Sequence, residues 1–348
     1  MGGNLDHTIA KLRVAVRRAL ADAVQTAPHH SVVVGLSGGA DSLALTAATV
    51  FEAAKLELQV YCAVVDHALQ SDSATVAATA AATATRMGAV AQVLPVNVRH
   101  TGEGLESAAR TQRYQALADF CDAVGSALLL TGHTEDDQAE QVLLALARGS
   151  GVQAIAGIPP RRTLVSSGGN EITVLRPLLR ITRAETEAAC RAAGLAWWDD
   201  PHNREERFLR AKVRHHVLPV LREHLGEAVS VNLARTAQLA HADAAALQEL
   251  TERSFAAAAQ LRRDSAGQVS GVVFAVPDVQ QQPEAIRNRM IRRAAAALGC
   301  YYTMQQTAAV AALITSWNGQ KPLDLPGSRV SRLRGELIFE KTGTINSQ

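Results

Sequence analysis

The chain has 348 residues, 47% of them hydrophobic and 20% charged, with a net charge of +2. A chain of this length buries a large core and suggests two domains, and so small a net charge does not announce a polybasic nucleic-acid binder. Cys62, Cys121, Cys190 and Cys300 stand apart with no CxxC or CxxH pairing, which leaves metal clusters, redox motifs and disulfide frameworks without support and points to a reducing, cytoplasmic setting. No signal peptide or internal repeat is visible, and no apolar run reaches the ~20 residues of a membrane span, so no membrane partner is expected.

Leu5, Ile9, Leu12, Val16, Leu20 and Val24 recur at helical spacing and predict an amphipathic helix. The apolar run from Val32 to Leu36 then reads as a buried strand. It breaks at Ser37-Gly38-Gly39, and helical composition resumes from Asp41. Strand, glycine turn and helix make an anion cradle: the glycines admit a bulky anion to the backbone, the first amides of the helix point at it, and Ser37 and Ser42 add hydroxyls. A polyphosphate suits that geometry. The turn is not a Walker loop, because Ala40-Asp41-Ser42 stands where a Lys would precede the last hydroxyl. A glycine pair alone would favour a plain tight turn before an ordinary helix.

Strands are predicted at Leu58 to Val65, Val90 to Val96 and Ala127 to Leu130, alternating with helices in 41–55, 71–87 and 103–124. This series predicts an α/β fold, Rossmann-like, with a parallel sheet covered on both faces and its ligand beyond the carboxyl ends of the strands. Asp66 and His67 fall at such an end. A nucleotide or metal role is open to them, and so is a plain turn with Asp66 capping the next helix. Glu106, Arg110 and Arg113 share one helix face, which by spacing alone reads as a solvated ion pair.

His133 follows the strand that ends at Leu130, and Asp136, Asp137 and Glu140 occupy the first turns of the next helix. The helix dipole favours one or two acids there. Three acids beside a polyphosphate would repel it, which calls for Mg²⁺ or a positively charged second reactant.

Farther on come a polar hairpin tip at Ser166 to Asn170, a return to the core at Leu175 to Leu179, and a capping box from Thr182 to Glu185. The six basic residues Arg204, Arg207, Arg210, Lys212, Arg214 and Arg222 follow, forming either a solvated face or a phosphate-binding one. From Glu227 a long alanine-rich helix is predicted to about Leu261. A strand from Val272 to Val276, a helix carrying Arg287, Arg289, Arg292 and Arg293, a helix from Met304 to Trp317 and short strands around 323–327 and 330–339 complete the chain. The expected domains are 1–220, α/β, and 221–348, smaller and mostly helical.

Ser37, Gly38, Gly39, Asp41 and Ser42 match the pattern SGGxDS, and through it the chain resembles the PP-loop family of ATP pyrophosphatases. That resemblance implies an ATP site made by Ser37, Gly38, Gly39, Ala40, Asp41, Ser42, Asp66, His67 and His133, Mg²⁺ held by Asp41 and Asp136, and attack at the α-phosphate with release of pyrophosphate. The stretches Glu106 to Tyr114, His133 to Gly151 and Asp200 to Leu221 resemble motifs of the tRNA(Ile)-lysidine synthetase branch, in a short form without an additional terminal domain. The chain departs from those motifs at Gln70, Gln141, His202 and Ala211-Lys212, where the branch usually has Arg, Thr, Ser and Asn-Arg.

Membership of that branch implies ligation of L-lysine to C2 of the wobble cytidine of a tRNA(Ile) with a CAU anticodon, through an adenylated cytidine. It implies catalytic roles for Asp41, Arg113, Asp137 and Glu140, lysine binding by Asp137 and Glu140, and tRNA binding by Arg110, Arg207, Arg210, Lys212, Arg214, Arg287 and Arg292. A homodimer is one assembly open to such a chain. Two alternatives remain at this point: a tRNA thiolase of the same superfamily, for which the reactive cysteine pair is missing, and a non-catalytic nucleotide- and RNA-binding protein.

Overall fold

The computed structural model describes residues 6–27, 29–66, 72–96, 105–149, 151–199 and 209–342, so His67, Gln70, His202 and Arg207 lie outside the described residues. The chain forms two compact units, Met1–His241 and Ala242–Gln348. The division into these units falls inside a continuous helix, Val229–Ala258, where no Gly or Pro marks it in the sequence.

In the first unit the elements run α1 (His7–Thr26), β1 (Ser31–Gly35), α2 (Ala40–Ala53), β2 (Gln59–Asp66), α3 (Ser73–Met87), β3 (Val90–Pro95), α4 (Leu105–Ala123), β4 (Leu128–Thr131), α5 (Glu135–Ala147), α6 (Val152–Ile155), β5 (Arg161–Val165), β6 (Glu171–Leu175) and α7 (Arg183–Ala192). After them come α8 (Leu209–Lys212), a π-helical turn at Val213–Val217, α9 (Leu218–Leu225) and the start of α10 (Val229–Ala258). The six strands lie in the order β3-β2-β1-β4-β6-β5, parallel except for the edge strand β5.

Why β1 is central follows from its side chains. Val32 and Val34 pack into the cluster of α1, α2 and α7, while Val33 points to the opposite face against Leu117, Ala118 and Cys121 of α4. Only a strand buried on both faces is apolar at every position, and each such side chain contributes about 1.5–3 kcal/mol by its burial. Helix α1 closes one face through Leu12, Val16, Leu20 and Ala23. The side chain of Asp6 caps it by accepting from the Thr8 N–H at 2.8 Å. Gly35 pairs with Ala63 of β2 and with Thr131 of β4, and the chain turns to opposite sides of β1 after β1 and β4. The carboxyl ends of β1 and β4 therefore flank the topological switch point, where such sheets bind ligands.

The second unit continues α10 and adds β7 (Gln260–Arg263), β8 (Val269–Ala275), α11 (Val276–Gln280), α12 (Glu284–Ala297), α13 (Met304–Thr315), β9 (Leu323–Leu325), β10 (Ser328–Leu333) and β11 (Glu336–Lys341). It is helix-rich as expected, but its helices pack on a five-stranded antiparallel sheet, β7-β8-β11-β10-β9. Phe255, Phe274 and Phe339 form an edge-to-face series in its core, with centroids 5.6 and 5.9 Å apart. The helix predicted as far as Leu261 ends at Ala258, and Gln260 to Arg263 become a strand instead. The Asp264 side chain accepts from the N–H groups of Ala266 and Gln268, both at 2.9 Å, and so folds β7 back onto β8. Among the described residues no helix is long and apolar enough to cross a membrane.

Candidate active site

The turn after β1 is held from three sides. The Leu36 N–H donates to the Ala63 carbonyl at 2.9 Å, fixing the strand exit against β2. Gly38 has φ +84°, a left-handed conformation that glycine adopts without strain. The Trp198 N–H donates to the Gly38 carbonyl at 3.0 Å, bringing the segment after α7 onto the turn. From β4, Gly132 approaches so closely that a Cβ there would lie 3.1 Å from the Asp41 carbonyl carbon and 3.2 Å from the Ser42 nitrogen. Sequence reasoning missed Gly132, although a glycine one residue past a buried strand is a signal of close backbone approach.

Ser42 departs from its expected part. Its hydroxyl is buried, donates to the Gly39 carbonyl at 2.9 Å and accepts from the Ser37 N–H at 3.2 Å. It shapes the turn from within instead of offering a free hydroxyl. Gly39 caps α2 without a side-chain hydrogen bond, and Ala40 and Asp41 begin the helix, so its first amides are not covered by a side-chain cap.

Asp136, Asp137 and Glu140 of α5 are each engaged by arginines of the same chain. One Asp137 oxygen accepts from the Thr134 N–H at 2.8 Å and caps the helix, while the other lies 3.5 Å from an Nη2 of each of Arg183, Arg210 and Arg214. Glu140 is fully buried and accepts from Arg210 Nε at 2.8 Å and from Arg214 Nε and Nη2 at 2.7 and 3.1 Å. Asp136 accepts from the Arg183 backbone N–H at 2.8 Å and from Arg222 Nη2 at 3.4 Å. Asp41 accepts from the Thr186 hydroxyl and lies 3.5 Å from Arg183 Nε. Four carboxylates thus meet four guanidiniums, and Arg183 joins the glycine turn to α5.

This arrangement corrects two expectations. The acids do not by themselves demand a cationic reactant, because Arg183, Arg210, Arg214 and Arg222 already balance them. Arg210 and Arg214, expected to face tRNA, are turned inward onto Glu140 and are only about a quarter exposed, at 26% and 22%. Lys212 between them is exposed. Arg183 has no role in the sequence reading and Arg222 is there only one of six basic residues, because their carboxylate partners lie 46 and 86 residues away.

Charges and burial set the protonation of the cluster. Burial pushes the Asp137 carboxyl up, but Arg210, Arg183 and His133 outweigh it and hold it below the usual carboxylate range. At Asp41 burial wins over Arg183 and Thr186, and the carboxyl is raised. His133 has Nδ1 3.0 Å from Thr131 Oγ1. Burial, reinforced by Arg176, Arg210 and Arg110 against Asp137, pushes its imidazole down to about 3, so it is neutral at pH 7.

Asp66 closes β2 at the same edge of the sheet, where its carbonyl accepts from the Val96 N–H at 2.8 Å. Arg110 and Arg113 lie on α4 with their guanidiniums 5.6 and 5.7 Å from the Tyr114 ring centre. Arg287 and Arg292 belong to α12 of the second unit, the first half-buried and the second exposed. Among the described residues no group of three or more His, Cys, Asp or Glu side chains is placed to hold a metal ion. Mg²⁺ needs only one or two carboxylates beside substrate phosphates. Asp41, one oxygen of which has no contact shorter than 3.5 Å among the described residues, fits that requirement; Asp136, with both oxygens taken, does not.

A family model described as a PP-loop domain matches residues 12–221, and one described as the TilS substrate binding domain matches residues 274–338. The chain is 44% identical over 334 residues to a tRNA(Ile)-lysidine synthase of Salinispora tropica, covering 94% of this chain and 95% of that protein. It is 41% identical over 341 residues to a tRNA(Ile)-lysidine synthase of Thermobifida fusca, covering 95% and 97%. A solved U34-tRNA thiolase from Methanococcus maripaludis is similar with a TM-score of 0.54 at 17% identity, over 66% of this chain and 78% of that one, a likeness of fold alone.

Proposed function

The chain belongs to the tRNA(Ile)-lysidine synthase family of ATP-binding PP-loop enzymes, and from that premise we propose that it joins L-lysine to C2 of the wobble cytidine of a tRNA(Ile) with a CAU anticodon. The observation that carries this reading is Arg183, which ties a turn shaped for phosphate to a buried acidic cluster at one switch point. An adenylating enzyme that also takes an amine needs those two sites side by side.

In the proposed sequence the cytidine O2 attacks the α-phosphate of ATP and pyrophosphate leaves. The lysine ε-amine then attacks C2, and AMP leaves. The amides from Ser37 to Ser42 hold the departing pyrophosphate, and Gly132 keeps the turn in place. Mg²⁺ would be held by Asp41 with the phosphates and would supply charge neutralisation there. Arg113 faces the developing phosphate charge. The anticodon base must be unstacked to reach the site, with Arg110, Arg207, Lys212, Arg287 and Arg292 holding the backbone. Such an enzyme works in the cytoplasm, beside its tRNA.

Lysine enters the acidic cluster by replacing one cation with another. Asp137 is the better first receiver, since its arginine contacts are 3.5 Å, whereas Glu140 is held by three bonds of 2.7 to 3.1 Å.

Labelled lysine offered with ATP and Mg²⁺ to unmodified tRNA(Ile) tests the proposal. Label should enter the RNA only with ATP and be lost in Asp41→Ala. No label in the wild type, with ATP still consumed on RNA, would abandon the lysine reaction for another modification such as thiolation.

A further inference from the structure

The carboxyl edge of the first sheet carries a second group of arginines that the acidic cluster does not neutralise. Arg176 directly follows β6, which runs parallel to β4, so it emerges at the same edge as the glycine turn and His133. It is 4% exposed. Its Nη1 donates to the Pro159 carbonyl at 2.6 Å, while its Nε is buried with no hydrogen-bond partner. Tyr114, 6% exposed, has a buried hydroxyl that lies against Arg176 and, among the described residues, donates to no acceptor. Around its ring stand Arg110, Arg113 and Arg162, with guanidinium carbons 5.6, 5.7 and 5.9 Å from the ring centre.

Among the described residues none of these four arginines forms an ion pair with a carboxylate, in contrast to Arg183, Arg210, Arg214 and Arg222. Buried charges are ordinarily paired, and buried donors are ordinarily satisfied. Burial pushes the Arg113 guanidinium down, and Arg110 and Arg210 push the same way. Burial raises the Tyr114 phenol, yet Arg176, Arg110 and Arg113 hold it below its ordinary value. The group grades from an exposed rim, Arg110 and Arg162, to a buried floor of Arg176 Nε and the Tyr114 hydroxyl. Among the described residues these guanidinium N–H groups and the phenol O–H supply donors without a competing carboxylate, the complement of a group with several anionic oxygens.

We propose that Arg162, Arg176 and Tyr114 form a phosphate-binding pocket, bordered by Arg110 and Arg113, that is distinct from the pyrophosphate cradle of the glycine turn. It takes a phosphate group of either the nucleotide or the RNA backbone. The proposal rests on the reading of the chain as an ATP-dependent tRNA-modifying enzyme for the source of the phosphate, but not for the pocket itself.

The test compares wild type with Arg176→Gln, Tyr114→Phe and Arg162→Gln in the full chain, measuring affinity by calorimetry for ATP, for inorganic pyrophosphate and for an anticodon stem–loop RNA. Losing one charge-assisted hydrogen bond should weaken the bound phosphate about tenfold or more. Weakening of ATP and pyrophosphate alone assigns the pocket to the nucleotide. Weakening of RNA alone, with the salt slope falling by about one, assigns it to the backbone. Melting of free Arg162→Gln provides the control: removing an exposed cation from a ring of cations leaves stability unchanged or raises it, whereas a merely structural arginine would lower it. Affinities equal to wild type for all three probes would overturn the pocket. Should Arg176→Gln fail to fold, Tyr114→Phe, which keeps the ring, and Arg162→Gln at the exposed rim decide the matter by the same measure. A pocket variant that loses affinity while wild type incorporates no lysine would sink the proposed reaction and leave the pocket standing.

Discussion

Replacing Glu140 by Gln tests whether the acidic cluster is held together by its own arginines. The carboxylate is fully buried and accepts three N–H groups from Arg210 and Arg214 at 2.7 to 3.1 Å. The amide keeps one acceptor oxygen and turns an NH₂ toward a guanidinium. Removing one partner of a buried pair costs about 3–5 kcal/mol. Arg210 and Arg214 keep 26% and 22% exposure and stay 3.5 Å from Asp137, so part of their charge remains compensated. The expected loss is therefore about 2–3 kcal/mol. In a unit of this size each kcal/mol moves the melting temperature by about 2–4 °C, giving a drop of about 4–12 °C. Scanning calorimetry should locate the shift in the transition of the unit Met1–His241. Adding Arg214→Met should recover part of it, because the uncompensated guanidinium is then gone. A drop below about 2 °C, with no recovery in the double variant, would refute the account of the cluster as a neutral, internally paired network.

Asp137→Asn should raise the KM for lysine well above any change for ATP, measured in the lysine-incorporation assay; equal loss of both would reject the role of Asp137 as receiver. Gly132→Ala places a methyl 3.1 to 3.2 Å from the backbone of Asp41 and Ser42, and such overpacking costs about 1–3 kcal/mol. ATP affinity should fall while the second unit melts as in wild type, and unchanged ATP binding would show that the close approach does not shape the turn. His133, held at about 3 in the folded chain against about 6.5 when unfolded, is protonated more readily by the unfolded state between those values. Its contribution to stability is complete above the unfolded value and is lost as pH falls, by about 2 kcal/mol at pH 5. His133→Gln should remove that component, and identical pH slopes for wild type and variant would contradict the burial argument.

The β1 run from Val32 to Leu36 and the alternation that follows it were legible because a doubly covered parallel strand leaves no polar position. The glycine turn was legible because Gly38 must adopt a positive φ. Sheet order was not, since periodicity reports which residues face inward but not which strand lies beside which. Gln260 and Leu261 read as the end of a helix because every residue of β7 is exposed and no alternation marks it. Of the site, the carboxylates were found through their spacing on α5, but their partners were not. Arg210 and Glu140 are 70 residues apart, and only the folded chain decides that Arg210 turns inward while Lys212 faces solvent.

The internal arginines also bear on a chemical difficulty of the proposed reaction. A lysine amine must be neutral to attack C2, yet carboxylates near it favour the ammonium form. Asp137 and Glu140 alone would hold the proton on the amine. With Arg183, Arg210 and Arg214 against the same oxygens, the carboxylates are shared, and the field that reaches an incoming ammonium is reduced. At such separations each guanidinium opposes the ammonium by about as much as a carboxylate attracts it, on the order of 4 kcal/mol at 4 Å near a protein surface. The acidic cluster can then select a cation on entry without trapping it in the unreactive form. On this view the arginines that occupy the lysine site are part of how it works, and stripping them away should tighten lysine binding while slowing its transfer.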